Sequence, residues 1–240
     1  MNKYLIAYED PKSPISESYR MIRTNLRYLN IDQEKKVIAI TSANPSEGKT
    51  TTMCNLAITI AQTGKKVVLV DSDMRKPILH KVFNSSNDHG IVDILVDKIN
   101  YKNIVRKVEG IQNLEVITSG DIPPNPSELL ESNAMKNLII ELKNDYDFVL
   151  VDAPPVCSVT DAAILARIVD GVILVIASGK TKIDSAKLSK KLLEKVDANI
   201  LGVVLSEADT RKLGGYYYYY YYHEKNDEKS KKKHRRKKKK

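Results

Sequence analysis

The chain has 240 residues, 42% of them hydrophobic, and carries 39 Lys+Arg against 30 Asp+Glu for a net charge of +9. That length favours one domain with enough apolar material for a sizeable core. Two cysteines, Cys54 and Cys157, exclude a disulfide framework; they suit a reducing compartment and read as small core hydrophobes.

From the N-terminus, "MNKYLIAYEDPKSP" lacks the long apolar region of a signal peptide. Residues 14–30 then read as an amphipathic helix on which Glu17, Arg20 and Arg23, three apart, share a face. Taken alone, that trio suits a solvated, salt-bridged surface. Short apolar runs typical of buried parallel strands follow at 36–43, 65–71, 113–120, 147–153, 171–177 and 198–206. Helical segments lie between them at 49–63, 127–143, 160–168 and 182–196. This alternation predicts an α/β fold of the P-loop NTPase type, a mostly parallel sheet with helices on both faces. The most apolar stretch, 171–177, is too short to span a bilayer, so any membrane contact is expected to be peripheral. From about Arg211 the periodic pattern stops, and 211–240 is expected to be a disordered tail.

The first chemical motif is "VIAITSANPSEGKTTT". Ala43 to Thr50 reads A-x-x-x-x-G-K-T between a strand and a helix start, a Walker A pattern with alanine at its first glycine. Loop amides and a helix N-terminus suit phosphate, so Asn44, Pro45, Ser46, Glu47, Gly48, Lys49, Thr50 and Thr51 are the expected ATP contacts. Lys49 can reach the β/γ-phosphates, and the Thr50 hydroxyl can ligate magnesium.

Two strand ends add carboxylates. "VVLVDSDMRKP" places Asp71 and Asp73 at i and i+2, and "FVLVDAPP" places Asp152 in a Walker B-like position. Each could be a helix cap; at the carboxyl edge of an open α/β sheet, together with the loop, they read as one site.

The chain ends in two low-complexity runs. Tyr216, Tyr217, Tyr218, Tyr219, Tyr220, Tyr221 and Tyr222 are consecutive, which neither a strand nor a helix requires. Residues 223–240 hold 11 of the 39 Lys+Arg and 3 of the 30 Asp+Glu, a net of +8, so the folded body is close to neutral.

These motifs resemble the bacterial tyrosine kinases, specifically the stand-alone cytoplasmic form from capsule and exopolysaccharide operons. The resemblance rests on D-x-D-x-R at 71–75 (a Walker A-prime box), "PPNPSELL" at 123–130, "VLVDAPPV" at 150–156, E-x-x-R-x-x-R at Glu17, Arg20 and Arg23, and the tyrosine cluster. It covers about residues 1–222. It implies ATP- and magnesium-dependent autophosphorylation of Tyr216–Tyr222, with Lys49 at the phosphates and Asp71 as base. Asp73 and Asp152, with Thr50, would hold the magnesium. It further implies ring-like homo-oligomers through Glu17, Arg20 and Arg23, a membrane-bound modulator, a cognate tyrosine phosphatase, and a cytoplasmic protein working at the inner face of the membrane. The expected domains are 1–35 (N-terminal helix and oligomerisation), 36–210 (kinase) and 211–240 (tail).

Two departures from the family pattern stand out. Ser46 replaces a usual glycine and adds strain if that position needs a positive φ. Ser206 and Glu207 stand where many relatives carry an asparagine at the adenine. Two rival readings stay open. A positioning or partition-type ATPase would carry a lysine where this chain has Asn44, and a nucleotide-binding scaffold would bind without phosphotransfer. For "KKKHRRKKKK" at 231–240, a solvated tail, a nucleic-acid contact and an anionic membrane contact compete. Of the two binding readings the membrane is preferred and no nucleic acid is expected.

Overall fold

The computed structural model describes residues 4–29 and 34–209, of which 4–29 and 34–206 belong to one compact unit. Tyr216–Tyr222 and the basic run lie outside the described residues. A short helix α1 (Ile6–Glu9) and α2 (Pro14–Leu29) precede β1 (Val37–Ser42), and the phosphate loop leads from β1 into α3 (Lys49–Ala61). Next come β2 (Val67–Asp71), the short helices α4 (Leu79–Val82) and α5 (Ile91–Val96), and a 3-10 turn at Tyr101–Asn103. The chain continues through β3 (Arg106–Lys107), β4 (Leu114–Ile117), α6 (Pro126–Glu131), α7 (Asn133–Asp145) and β5 (Phe148–Asp152). It finishes with α8 (Asp161–Ala166), β6 (Gly171–Ala177), α9 (Ile183–Glu194) and β7 (Ile200–Ser206).

The strands form one sheet in the order β3-β4-β2-β5-β1-β6-β7, parallel throughout except for the β3–β4 pair. Because successive strand residues point to opposite faces, each central strand feeds two cores. Val37 and Ala39, with Val68, Val70, Val149 and Val151, face a cluster closed by α5, α6, α7, α8 and α9. Ile38, Ile40, Val67, Leu69 and Leu150 face the other, closed by α3 and, behind it, α1 and α2. The expected class, a mostly parallel sheet with helices on both faces, is what the chain forms.

Helix α3 lies between the sheet and the N-terminal helices, so nearly every residue from Thr50 to Ala61 is buried. Its one large polar group there is Asn55, fully buried and satisfied. Asn55 Oδ1 accepts the Ala7 amide at 2.8 Å, and its Nδ2 donates to the carbonyls of Tyr4 and Thr51, both at 2.8 Å. One side chain thus fastens α1 to the helix that begins at the phosphate loop.

The structure refines three sequence expectations. The helix expected at 127–143 is broken at Ser132, whose extended backbone (φ −62°, ψ 157°) and side chain, accepting the Met135 amide at 3.2 Å, start a new helix. The run at 198–206, read as a buried strand, is the edge strand β7, with Val203 and Leu205 exposed. Elements α1, α4, α5 and β3 were not anticipated; each is six residues or fewer, too short for a periodic signature. Among the described residues no helix is long and apolar enough to cross a membrane.

Candidate active site

Strand order brings the predicted carboxylates together. β2, β5 and β1 are consecutive neighbours running parallel, so their carboxyl ends share one edge. Asp71 and Asp152, the last residues of β2 and β5, are register partners. The phosphate loop leaves the adjoining β1.

The loop is braced from within. Glu47, almost fully buried, accepts the Asn44 amide at 3.0 Å and Asn44 Nδ2 at 2.8 Å, and Thr181 Oγ1 donates to it at 2.7 Å. The side chains of Asn44 and Glu47, expected among the nucleotide contacts, therefore fix the loop's shape. Gly48 has φ 84°, a backbone conformation that favours glycine, although a Cβ there would make only ordinary contact with the Ser206 side chain at 3.4 Å. Ser46 has φ 61°, the left-handed conformation in which serine is strained. Ser206 Oγ donates to the Glu47 carbonyl at 2.6 Å, which ties the end of β7 to the loop.

Lys49 is the electrostatic centre. Its Nζ lies 3.0 Å from Asp152 Oδ1 and 3.0 Å from Asp73 Oδ2, with Thr50 Oγ1 at 3.4 Å. Burial opposes its positive charge, but Asp152 and Asp73 outweigh that and raise its pKa, so the ammonium stays protonated. Thr50 Oγ1 donates to Asp152 Oδ2 at 2.6 Å. Asp152 is itself pushed up, first by burial, against the pull of Lys49 and Thr50.

Asp71 differs from its neighbours. Oδ2 accepts the amides of Ile78 at 3.0 Å and Leu79 at 2.9 Å, while Oδ1 is buried and has no hydrogen-bond partner among the described residues. Burial, then the adjacent Asp152 charge, push this carboxyl up to about 7; the two amides and Lys49 pull it back only in part. A carboxylate with one fixed oxygen, one unpartnered oxygen and a near-neutral pKa has the properties of a general base.

Among the described residues no three His, Cys, Asp or Glu side chains gather as a ready-made metal cluster. The hydrogen-bonded Thr50 hydroxyl and Asp152 carboxylate, with Asp73 across Lys49, still form an all-oxygen set. That set suits a hard divalent cation which takes its other ligands from phosphate and water.

Sequence reasoning missed a supporting layer. Asp161, fully buried at the start of α8, accepts Arg75 Nε at 2.9 Å and Nη2 at 3.2 Å, and accepts Ser127 Oγ from α6 at 2.8 Å. This fastens the loop after β2, which carries Asp73, to two helices. Nothing in the local sequence marks the Arg75–Asp161 pair, whose members are 86 residues apart.

The expected oligomerisation residues lie on α2 and make contacts within the chain. Arg20 pairs with Glu17 at 2.6 Å and bonds to the Pro11 carbonyl, while Arg23 Nη1 donates to the Thr59 carbonyl of α3 at 2.5 Å. Cys54 is fully buried within α3 and Cys157 is half-buried; both are free thiols.

Comparison with known proteins bears on this geometry. A family model described as an AAA domain matches residues 35–200. Tyrosine-protein kinase YwqD of Bacillus subtilis (strain 168) is 43% identical over 216 residues, covering 90% of this chain and 91% of YwqD. Among solved structures, the chimerical protein CapA2B2 shares the fold at a TM-score of 0.81 with 44% identity, over 84% of this chain and 88% of that one. The kinase domain of the Escherichia coli tyrosine kinase ETK also has a TM-score of 0.81, with 36% identity over 84% of this chain and 79% of that one. With its phosphate loop on β1 and its three carboxylates on the neighbouring strand ends, the chain belongs to the bacterial tyrosine-kinase family.

Proposed function

We propose that this kinase uses ATP to phosphorylate its own tyrosine run, Tyr216–Tyr222, one copy acting on another, and thereby regulates capsular or exopolysaccharide synthesis and export. The observation that carries the reading is Asp71. It ends the strand next to that of Asp152, the carboxylate that holds Lys49 and Thr50, and its buried Oδ1 has no hydrogen-bond partner among the described residues.

In this scheme Lys49, Thr50 and the loop from Asn44 to Thr51 hold the phosphates, and Thr50, Asp73 and Asp152 hold magnesium. ATP supplies the γ-phosphoryl group, and the cation offsets its charge. The tyrosine oxygen bonds to the γ-phosphorus as the bond to the departing ADP oxygen breaks, and the phenolic proton passes to Asp71 Oδ1. A phenol with a pKa of about 10 gives up that proton late, so a nearby carboxylate is a sufficient acceptor. Lys49 stays charged throughout and stabilises the transferring group. Seven identical phenols need no fixed register, and at about 3.3 Å per residue the run reaches roughly 23 Å when extended.

Ring-like assembly through Glu17, Arg20 and Arg23, activation by a membrane-bound modulator and reversal by a cognate phosphatase complete the proposal. The run 231–240 would meet an anionic inner leaflet, where each basic residue contributes about 1 kcal/mol. Deleting 231–240 is then expected to abolish co-sedimentation of the unphosphorylated protein with anionic liposomes.

The central test is incubation with magnesium and ATP, followed by anti-phosphotyrosine blotting and mass mapping of the tail. Phosphate on Tyr216–Tyr222 is expected. A mixture of Lys49→Met protein with a wild-type chain truncated before Tyr216 should still label the Lys49→Met tail, which reports transfer between copies. A wild-type tail without phosphotyrosine would overturn the proposal.

A further inference from the structure

Beside the candidate active site, the loops after β2 and β4 border a shallow, open cleft of about 560 Å³ that the proposed chemistry does not use. Its walls include Arg75, Lys76, His80 and Lys81 from "RKPILHK", together with Asn87 and Asp121. Asp121 is the single carboxylate among the lining residues. Arg75 is anchored by Asp161 and Ser127. Lys76 and Lys81 are exposed and have no ion-pair partner among the described residues, whereas His80, whose Nδ1 is buried and whose pKa is lowered by burial and then by Lys81, is neutral and adds no charge. The walls are tied together: Asn87 Nδ2 donates to the Gly120 carbonyl at 2.7 Å, and Asn87 Oδ1 accepts the Gly120 amide at 3.1 Å. Concentrating cations here on a body of near-neutral net charge marks the cleft for an anion.

Ile78 connects this cleft to the chemistry. It lines the cleft, and its amide holds Asp71 Oδ2 at 3.0 Å. An anion seated here therefore sits beside the base. The anion formed there is phosphotyrosine, which carries about −1.5 to −2 charges at neutral pH.

We propose that the Arg75–Lys76–Lys81 cleft is a phosphotyrosine-binding subsite, holding one modified residue of Tyr216–Tyr222 while the next phenol is presented to Asp71. The inference rests on the tail being the substrate, as proposed above. It makes the tail's own product a handle: each completed transfer raises the residence of the run and favours multiply phosphorylated tails over singly phosphorylated ones.

The test uses phosphatase-treated full-length protein and peptides spanning residues 213–226, unmodified or phosphorylated at Tyr219, with binding followed by fluorescence anisotropy without nucleotide. The phosphopeptide is expected to bind about tenfold more tightly, the effect of one or two charge-assisted contacts. Lys76→Gln combined with Lys81→Gln should erase that preference and leave the unmodified peptide's affinity unchanged. Equal binding of both peptides, or a preference that survives the double substitution, would overturn the subsite. A phosphoserine version of the same peptide binding as tightly would reduce the cleft to a general phosphate trap and overturn the tyrosine assignment. In parallel, intact-mass measurement during reaction with magnesium and ATP should show the double variant adding its first phosphate at the wild-type rate and then stalling at fewer phosphates. An unchanged phosphate ladder would overturn the retention role. The peptide assay needs no catalysis, so an inactive wild-type protein would sink autophosphorylation and leave the binding result standing.

Discussion

The strands β5 and β7 are both apolar runs, "FVLVD" and "ILGVVLS", with opposite fates. β5 lies between β2 and β1 and is buried from Val149 to Asp152, while β7 closes the sheet and leaves Val203 and Leu205 open to solvent. An apolar run therefore tells that a strand exists without telling its rank in the sheet. Rank is what matters for chemistry. The central strands carry the carboxylates on their ends, and the edge strand contributes a single hydroxyl, Ser206, to the loop's outer side.

The largest expected effect tests the centre at its charged end. Lys49→Met removes the cation shared by Asp73 and Asp152, and phosphotransfer should fall about 10³-fold, as when one preorganised charge is taken from a phosphoryl-transfer site. Near-wild-type phosphotyrosine in this variant would end the comparison, because the central edge would then not be the site.

Asp71→Asn comes next, with an expected loss of about 10²-fold in rate. In the wild type, the rate should climb with pH through about 7 as Asp71 loses its proton. The stability effect has the opposite sign. An unfolded aspartate titrates near 4, at about pH 3.9, and the folded one near 7, so between those values the folded chain binds a proton that the unfolded chain has lost. Stability from this group is thus full at low pH and is lost as pH rises through about 7. Asp71→Asn should flatten that slope in thermal unfolding between pH 4 and 8; a variant with the wild-type slope would show that another group is responsible.

Two truncations then sharpen the contrast between centre and edge. Leu150→Ala in β5 should cost about 2–5 kcal/mol by urea unfolding, the range for buried Leu→Ala. Leu205→Ala in β7 should cost under about 1 kcal/mol, as expected for a half-exposed side chain. Similar costs would mean that β7 is covered in solution. The smallest effect is Ser46→Gly, which relieves the left-handed serine and should stabilise the loop by about 0.5–1 kcal/mol. A lowered melting temperature would show that the Ser46 side chain makes a contact worth more than its strain.

The legible part of the site was the part encoded locally. Lys49, Thr50, Asp71, Asp73 and Asp152 each lie within two residues of an apolar strand's end or a glycine turn, and the carboxyl-edge rule joins them. The Ser46 strain was also legible, because loop type sets φ. What escaped was encoded by pairs distant in sequence. Asp161 is a helix-start aspartate like many others until Arg75 arrives from 86 residues away. Asn55 looks like an ordinary polar residue in a helix until α1 packs over it. Ser132 could have been found, since a serine before a helical run is a capping signature.

The seating of Lys49 between Asp73 and Asp152 has a consequence for what the loop admits. To turn toward a phosphate, the lysine must let go of two acids in the protein interior, where stranded negative charge is costly. A visitor arriving with its own counterion compensates for that departure; a naked anion deepens the deficit. The lysine is therefore expected to act as a customs post, passing metal-bound nucleotide and turning back the metal-free form. Nucleotide affinity measured with and without a chelator is expected to reveal it, and Asp73→Asn should narrow the gap.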